Sequence, residues 1–279
     1  MKLRNLLAIC IAISVFCAIP ALAELAAPNT TGVTMGHVHL YTKDVDAQKH
    51  FWVDIMGGNA VMNEKVSLIE FPGVYIMLNP TAPTASPAGS IVDHFGIVVK
   101  DLPGFIAKWN ANGLKVDQTG TNPMQRYVWA PEGIRVEVFG DPQLTHPVEM
   151  NHIHFFPPKD DIPAMQQWYG KVFGGVIGRR DSVANPNVGA WIQTVDLPGV
   201  DLSFGAGDPK RAPTKGRGIE HIGFEVKDLD AFAKHLESVG VKLDEPIRSV
   251  PASSKLKITF ITDPWGTRIE LTQGLAPKS

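Results

Sequence analysis

The stretch EHIGFEVKDLD at 220–230 nearly repeats DHFGIVVKDLP at 93–103, and this repetition constrains the fold more than any other feature of the 279 residues. Residues 33–140 and 148–275 align as two copies. GHVHLYTKDVDAQKHFWVDIMGG (36–58) answers NHIHFFPPKDDIPAMQQWYGKVFGG (151–175), with two residues inserted. FPGVYIM (71–77) answers LPGVDLSF (197–204), and APEGIRVEVFGDP (130–142) answers DPWGTRIELTQG (263–274). A chain that repeats itself in matched order buries apolar faces unit against unit, so the repeat decides the architecture. Each half divides again, because a histidine-bearing strand followed by Lys-Asp and a helix-like segment begins at His37, His94, His152 and His221. Each quarter reads as an alternating strand, a helix of about three to four turns closed near glycine, and two or three short strands. The chain is thus expected to be four βαβββ units. NPTAPTASPAGS (79–90) and APTKGRG (212–218) read as exposed linkers between units.

Lys2 and Arg4 precede an apolar run from Leu6 to Ala21 that ends in Ala21-Leu22-Ala23. That is the pattern of a signal peptide cut after Ala23. A membrane anchor is the competing reading, but the run is short and holds Pro20 near its end. Cys10 and Cys17 both fall inside the leader, which leaves 256 residues without cysteine. Such a chain, expected in the periplasm or the medium, must be held together by its cores. Without the leader, 24 basic side chains stand against 28 acidic ones, with no basic run. Nucleic acid and anionic membrane are therefore not expected partners. A small molecule is, bound by a monomer or a homodimer.

Residues two apart on a strand share a face. His94 therefore lies with Gly96, and His221 with Gly223, each glycine leaving room beside an imidazole. Phe95 and Ile97, or Ile222 and Phe224, point the other way. The strands that close the two halves carry Glu137 and Glu270, each in the context Pro-x-Gly-x-Arg-x-Glu. A carboxylate deep in a sheet is costly unless a cation or hydrogen bonds compensate it. Arg135 and Arg268, two residues away on the same face, offer one compensation; a metal ion offers the other. Each half places His-x-His on its first strand, one histidine on its second-unit strand and a glutamate on its last strand. Imidazole and carboxylate together suit Zn²⁺, Mn²⁺, Fe²⁺, Ni²⁺ or Co²⁺, and three protein ligands leave positions for substrate oxygen and water.

With the openings GHVHLYTKD, DHFGIVVKD, NHIHFFPPKD and EHIGFEVKD and the closings PEGIRVE and PWGTRIE, the chain resembles the vicinal oxygen chelate superfamily. That superfamily includes glyoxalase I, extradiol dioxygenases, methylmalonyl-CoA epimerase and fosfomycin-resistance proteins. The resemblance covers essentially the whole chain after the leader. It implies an α+β fold in which paired units form two open cups, one over 31–142 and one over 148–275, behind a leader at 1–23. It implies metal ligands as well: His37, His94 and Glu137 in the first cup, and His152, His221 and Glu270 in the second. His152 stands eight residues before Asp160, where the other histidines stand seven before theirs, leaving His154 as the alternative ligand. Asp201 is the implied fourth ligand of the second set, at a place held by Tyr75 in the first.

Glu270 and Glu137 are implied to serve as ligand and base. Tyr127, ten residues before Glu137, matches a dioxygenase tyrosine but lacks its supporting histidine. It reads as a cup-wall group beside a catalytic carboxylate; Phe260 holds the corresponding place in the other half. The implied activity is metal-dependent and glyoxalase-like, a lyase or isomerase for a small substrate with adjacent oxygens, with Zn²⁺ or Mn²⁺ favoured outside the cytosol and Fe²⁺, Ni²⁺ or Co²⁺ as alternatives. The competing readings are an extradiol dioxygenase and a protein that sequesters a small molecule or metal without turnover. Trp52, Trp129, Trp168, Trp191 and Trp265 read as core or cup wall. No Gly-rich phosphate loop or nucleophile elbow occurs.

Overall fold

The computed structural model describes residues 24–181 and 191–276, and the expected leader lies outside them. Four times the chain runs strand, helix, three strands. The first unit is β1 (Val33–Tyr41), α1 (Val45–Lys49, continued as a π-helical turn His50–Ile55), β2 (Asn59–Asn63), β3 (Val66–Phe71) and β4 (Val74–Asn79). The second is β5 (Val92–Val99), α2 (Leu102–Ala111), β6 (Val116–Asp117), β7 (Gln125–Ala130) and β8 (Ile134–Gly140). The third is β9 (Val148–Phe155), α3 (Ile162–Phe173), β10 (Val176–Asp181), β11 (Trp191–Leu197) and β12 (Val200–Phe204). The fourth is β13 (Ile219–Val226), α4 (Leu229–Ser238), β14 (Arg248–Ser249), β15 (Lys257–Thr262) and β16 (Arg268–Gln273).

Local chemistry explains the recurring Lys-Asp. Asp44, Asp101 and Asp228 are helix N-caps, accepting from the backbone N–H of Ala47 at 2.9 Å, Gly104 at 3.0 Å and Ala231 at 2.9 Å. The third unit instead enters α3 through a 3₁₀ turn, Lys159–Asp161, and this turn absorbs its one-residue offset.

The strands form two eight-stranded sheets. One runs β14-β15-β16-β13-β1-β4-β3-β2, the other β10-β11-β12-β9-β5-β8-β7-β6. Their centres are antiparallel joints, β1 with β13 and β5 with β9. The first unit therefore shares a sheet with the fourth, and the second with the third. The division into one cup over 31–142 and one over 148–275 does not describe these sheets, since each cup draws on both halves. The linkers carry the chain across. Rather than lying free, 79–90 and 212–218 run together, bonded by Thr84 N–H to Gly216 O at 2.8 Å and Gly218 N–H to Ala85 O at 2.9 Å, with Ile91 N–H to Ala212 O at 2.9 Å beside them. The repeated Pro-Gly turns lock the sheets further. Pro72 and Pro198 precede Gly73 and Gly199, both at positive φ, as a type II turn requires. Pro198 O accepts from Met35 N–H on β1 at 2.9 Å, and Pro72 O accepts from Met150 N–H on β9 at 3.0 Å.

The two sheets meet differently, through helices and apolar faces in one continuous core. Trp52 stacks on Phe95, ring centroids 5.5 Å apart. Phe173 of α3 packs against Phe224 of β13 at 4.6 Å. Backbone pairing thus builds the cups, and side-chain packing, together with the bonds of the Pro-Gly turns, binds one cup to the other.

Candidate metal centres

Strand register brings the chemistry into two matching rows. Across one sheet lie Tyr75, His37, Gly223, Glu270 and Phe260, on β4, β1, β13, β16 and β15. Across the other lie Asp201, His152, Gly96, Glu137 and Tyr127, on β12, β9, β5, β8 and β7. The glycines house the neighbouring strand's imidazole: a Cβ on Gly223 would stand 2.0 Å from the His37 ring, and one on Gly96 2.1 Å from the His152 ring. One row further, His39 pairs with His221 and His154 with His94.

Among the described residues two clusters result, each with ligand atoms within 4.8 Å of one another: His37, His39, His221 and Glu270, and His94, Glu137, His152 and His154. In the first, Glu270 Oε2 lies 2.9 Å from both His37 Nε2 and His221 Nε2, which are 3.3 Å apart, and His39 Nδ1 lies 3.1 Å from His221 Nε2. In the second, Glu137 Oε2 lies 3.2 Å from His94 Nε2 and 3.1 Å from His152 Nε2. The expected sets His37–His94–Glu137 and His152–His221–Glu270 are not assembled. Their histidines stand on different sheets, because unit pairing is crossed. His152 and His154 are not alternatives, since both enter one cluster. His39 is the residue that sequence reasoning passed over as a ligand, although its spacing of two from His37 was the available signal. Asp201 stands beside His152 but outside the cluster, its carboxylate taken by Arg180 Nε at 3.1 Å and Ser203 Oγ at 2.6 Å.

The arginines do not neutralise the glutamates. Arg135 pairs with Asp93, and Arg268 Nη1 donates to both oxygens of Glu220 at 2.8 and 3.0 Å. Register shifts next to Asp93 and Glu220 turn these acids toward their own neighbours, as bulges do. Asp93 then lies 3.0 Å from Nδ1 of His94, and Glu220 faces Nδ1 of His221. At His94, Arg135 Nη2 also lies 2.8 Å from Nδ1, whereas at His221 the carboxylate holds the proton on Nδ1 and leaves Nε2 facing the centre. Asn151 Oδ1, 2.8 Å from His152 Nδ1, does the same for that ring.

Burial holds His37, His39, His152 and His154 below the ordinary histidine range. Burial also opposes charge on His221, but Glu220 and Glu270 outweigh it and raise that ring. At Glu137 and Glu270 burial pushes upward and the facing histidines overcome it, so both carboxyls lie below their usual range.

The donors fit a divalent ion. Ligand atoms about 2.1 Å from one ion and at right angles are about 3 Å apart, close to the separations found here. Several ring nitrogens also lack what a protein interior demands. His37 Nδ1, His152 Nε2 and both nitrogens of His154 are buried with no hydrogen-bond partner, the Glu137 contact of His152 being off hydrogen-bond geometry. Such orphans are rare, and a cation at the inward-facing nitrogens would satisfy those without adding a proton.

The centres differ around their carboxylates. Glu137 Oε1 accepts from Tyr127 OH at 2.8 Å and Gln125 Nε2 at 2.9 Å. The corresponding residues beside Glu270 are Phe260 and Ile258, which have no donor to offer.

Residues 150–271 match the Glyoxalase/Bleomycin resistance protein/Dioxygenase superfamily. The uncharacterized protein YaeR of Escherichia coli (strain K12) is 46% identical over 54 residues, which are 19% of this chain and 40% of that protein. Glyoxalase I from Zea mays superimposes with a TM-score of 0.64 at 16% identity, covering 87% of this chain and 92% of its own. A putative dioxygenase from Bacillus subtilis superimposes with a TM-score of 0.62 at 14% identity, covering 88% and 86%. At such identities the structural likeness is one of fold. The match to that superfamily thus lies in residues 150–271, and the fold, two eight-stranded sheets built from repeated units, is the one shared with glyoxalase I.

Proposed function

We propose that the protein is an exported, metal-dependent enzyme of glyoxalase-like chemistry, a lyase or isomerase for a small substrate with adjacent oxygens. The observation that carries this reading is the pair of largely buried three-histidine, one-glutamate clusters, that of His94, Glu137, His152 and His154 holding three ring nitrogens with no hydrogen-bond partner among the described residues. An ion held there, Zn²⁺ or Mn²⁺ by donor set and compartment, supplies Lewis acidity toward the substrate oxygens. The chain's own groups do the rest. Asp93 and Glu220 fix the imidazoles that face the centre. Glu270 turns Oε2 toward His37 and His221, while its other oxygen takes the proton from the carbon that bears the hydroxyl and returns it to the former carbonyl carbon, the hydroxyl proton passing to the former carbonyl oxygen. Glu137, held by Tyr127 and Gln125, is the more tightly positioned of the two carboxylates. The leader expected over 1–23 supports a substrate that carries neither glutathione nor coenzyme A.

Elemental analysis of the purified chain tests the reading. Two ions per chain are expected, one after His221→Ala or His94→Ala, and none after both; full metal content in the double variant would refute the assignment. Turnover is read in D₂O with small 2-hydroxycarbonyl compounds. Deuterium entering substrate in excess over protein indicates catalysis, whereas loss of one equivalent per site without product indicates sequestration.

A further inference from the structure

The cup of His94, Glu137, His152 and His154 is flanked by cations that its twin lacks. Arg180, on the edge strand β10, reaches Asp201 and, through Nη2 at 2.8 Å, Ser203. The register partners of these two residues on β9 are His152 and His154. Arg180 Nη1 is buried with no partner among the described residues. Arg211 lies over the Phe156 ring, 5.2 Å from its centroid, with Nη1 3.7 Å from Asp93, and its Nε is likewise buried without a partner. Phe156 in turn stacks on His154 at 4.5 Å. Two guanidinium groups thus keep unused, buried N–H donors around one doubly unpartnered histidine. In the twin cup the places of Asp201 and Ser203 belong to Tyr75 and Met77, and Arg268 is engaged by Glu220.

Buried donors are rarely left unpaired, and a guanidinium's planar fork matches a carboxylate. We propose that this cup takes an anionic substrate, a small carboxylate with adjacent oxygens such as a 2-oxo or 2-hydroxy acid, whose carboxylate is received by Arg180 and Arg211. The proposal rests on the metal-dependent reading above and adds to it the charge of the substrate taken by this cup, where Glu137 stands in the place of Glu270.

Oxalate, a small dianion with neighbouring oxygens, is the probe, titrated calorimetrically into the metal-loaded full chain with metal content measured on the same samples. In a His221→Ala background, where only this cup retains its ligands, one oxalate per chain is expected. Adding Arg180→Met should weaken it at least about tenfold, and Arg180→Lys, which keeps the charge without the fork, should fall between. Oxalate bound equally tightly with methionine at position 180, the ion being retained, would overturn the proposal and leave the metal reading standing. An ion retained by neither wild type nor variants would sink both.

Discussion

Each imidazole at these centres occupies space that a neighbouring residue leaves open. The rings of His37 and His152 rest where a Cβ on Gly223 or Gly96 would be, so Gly223→Ala must displace one ring and Gly96→Ala the other. Each variant is expected to hold one ion per chain instead of two, by elemental analysis of protein with unchanged circular dichroism; two ions in both variants would show that the rings can step aside. Alternation along the strand already marked both glycines as making room. Which ring uses that room was not readable, because it belongs to an adjacent strand from another unit and not to the histidine two residues earlier. The arginines teach the same point. Arg135 and Glu137 share a face by spacing, yet the guanidinium pairs with Asp93 on the neighbouring strand, where a bulge that no residue pattern announced presents the acid.

At the scale of elements, signals confined to a few residues were legible: aspartate caps, Pro-Gly turns and strand alternation. Packing across elements sets the larger energies. Phe173 of α3 is fully buried against Phe224, so Phe173→Ala should lower stability by about 3–5 kcal/mol, measured by denaturant unfolding; a loss under about 1 kcal/mol would mean the core between the sheets closes over the gap. Strand β13 also carries an acid whose burial has a pH signature. Burial pushes Glu225 up to about 7 against the donors Thr272, Gly274 and Leu275. A carboxyl raised on folding favours the native state below its unfolded value of about 4.5 and loses that contribution as pH climbs toward 7. Wild type should therefore lose on the order of 1–3 kcal/mol between pH 5 and 8 that Glu225→Gln does not lose. Parallel pH profiles for the two proteins would refute this.

For the whole molecule, crossed pairing has a direct consequence. Each centre takes two ligands from either half of the chain, His37 and His39 with His221 and Glu270, or His94 and Glu137 with His152 and His154. Fragments 24–142 and 148–276, prepared separately and monomeric by size-exclusion chromatography, should bind no metal, and mixing them should restore two ions per pair. A monomeric fragment that held an ion alone would mean that a centre can form within one half.

The residues themselves spelled out the repeat, the four βαβββ units and most of the ligand types, because caps, turns and alternation act within a few positions along the backbone. Partnership was settled elsewhere. Four units written in one pattern present interchangeable strand edges, and the choice among them was made by linkers that travel together and by bonds between distant residues such as Met35 and Pro198. Histidine and glutamate could therefore be recognised one at a time, while the company each keeps around an ion depended on which edges met.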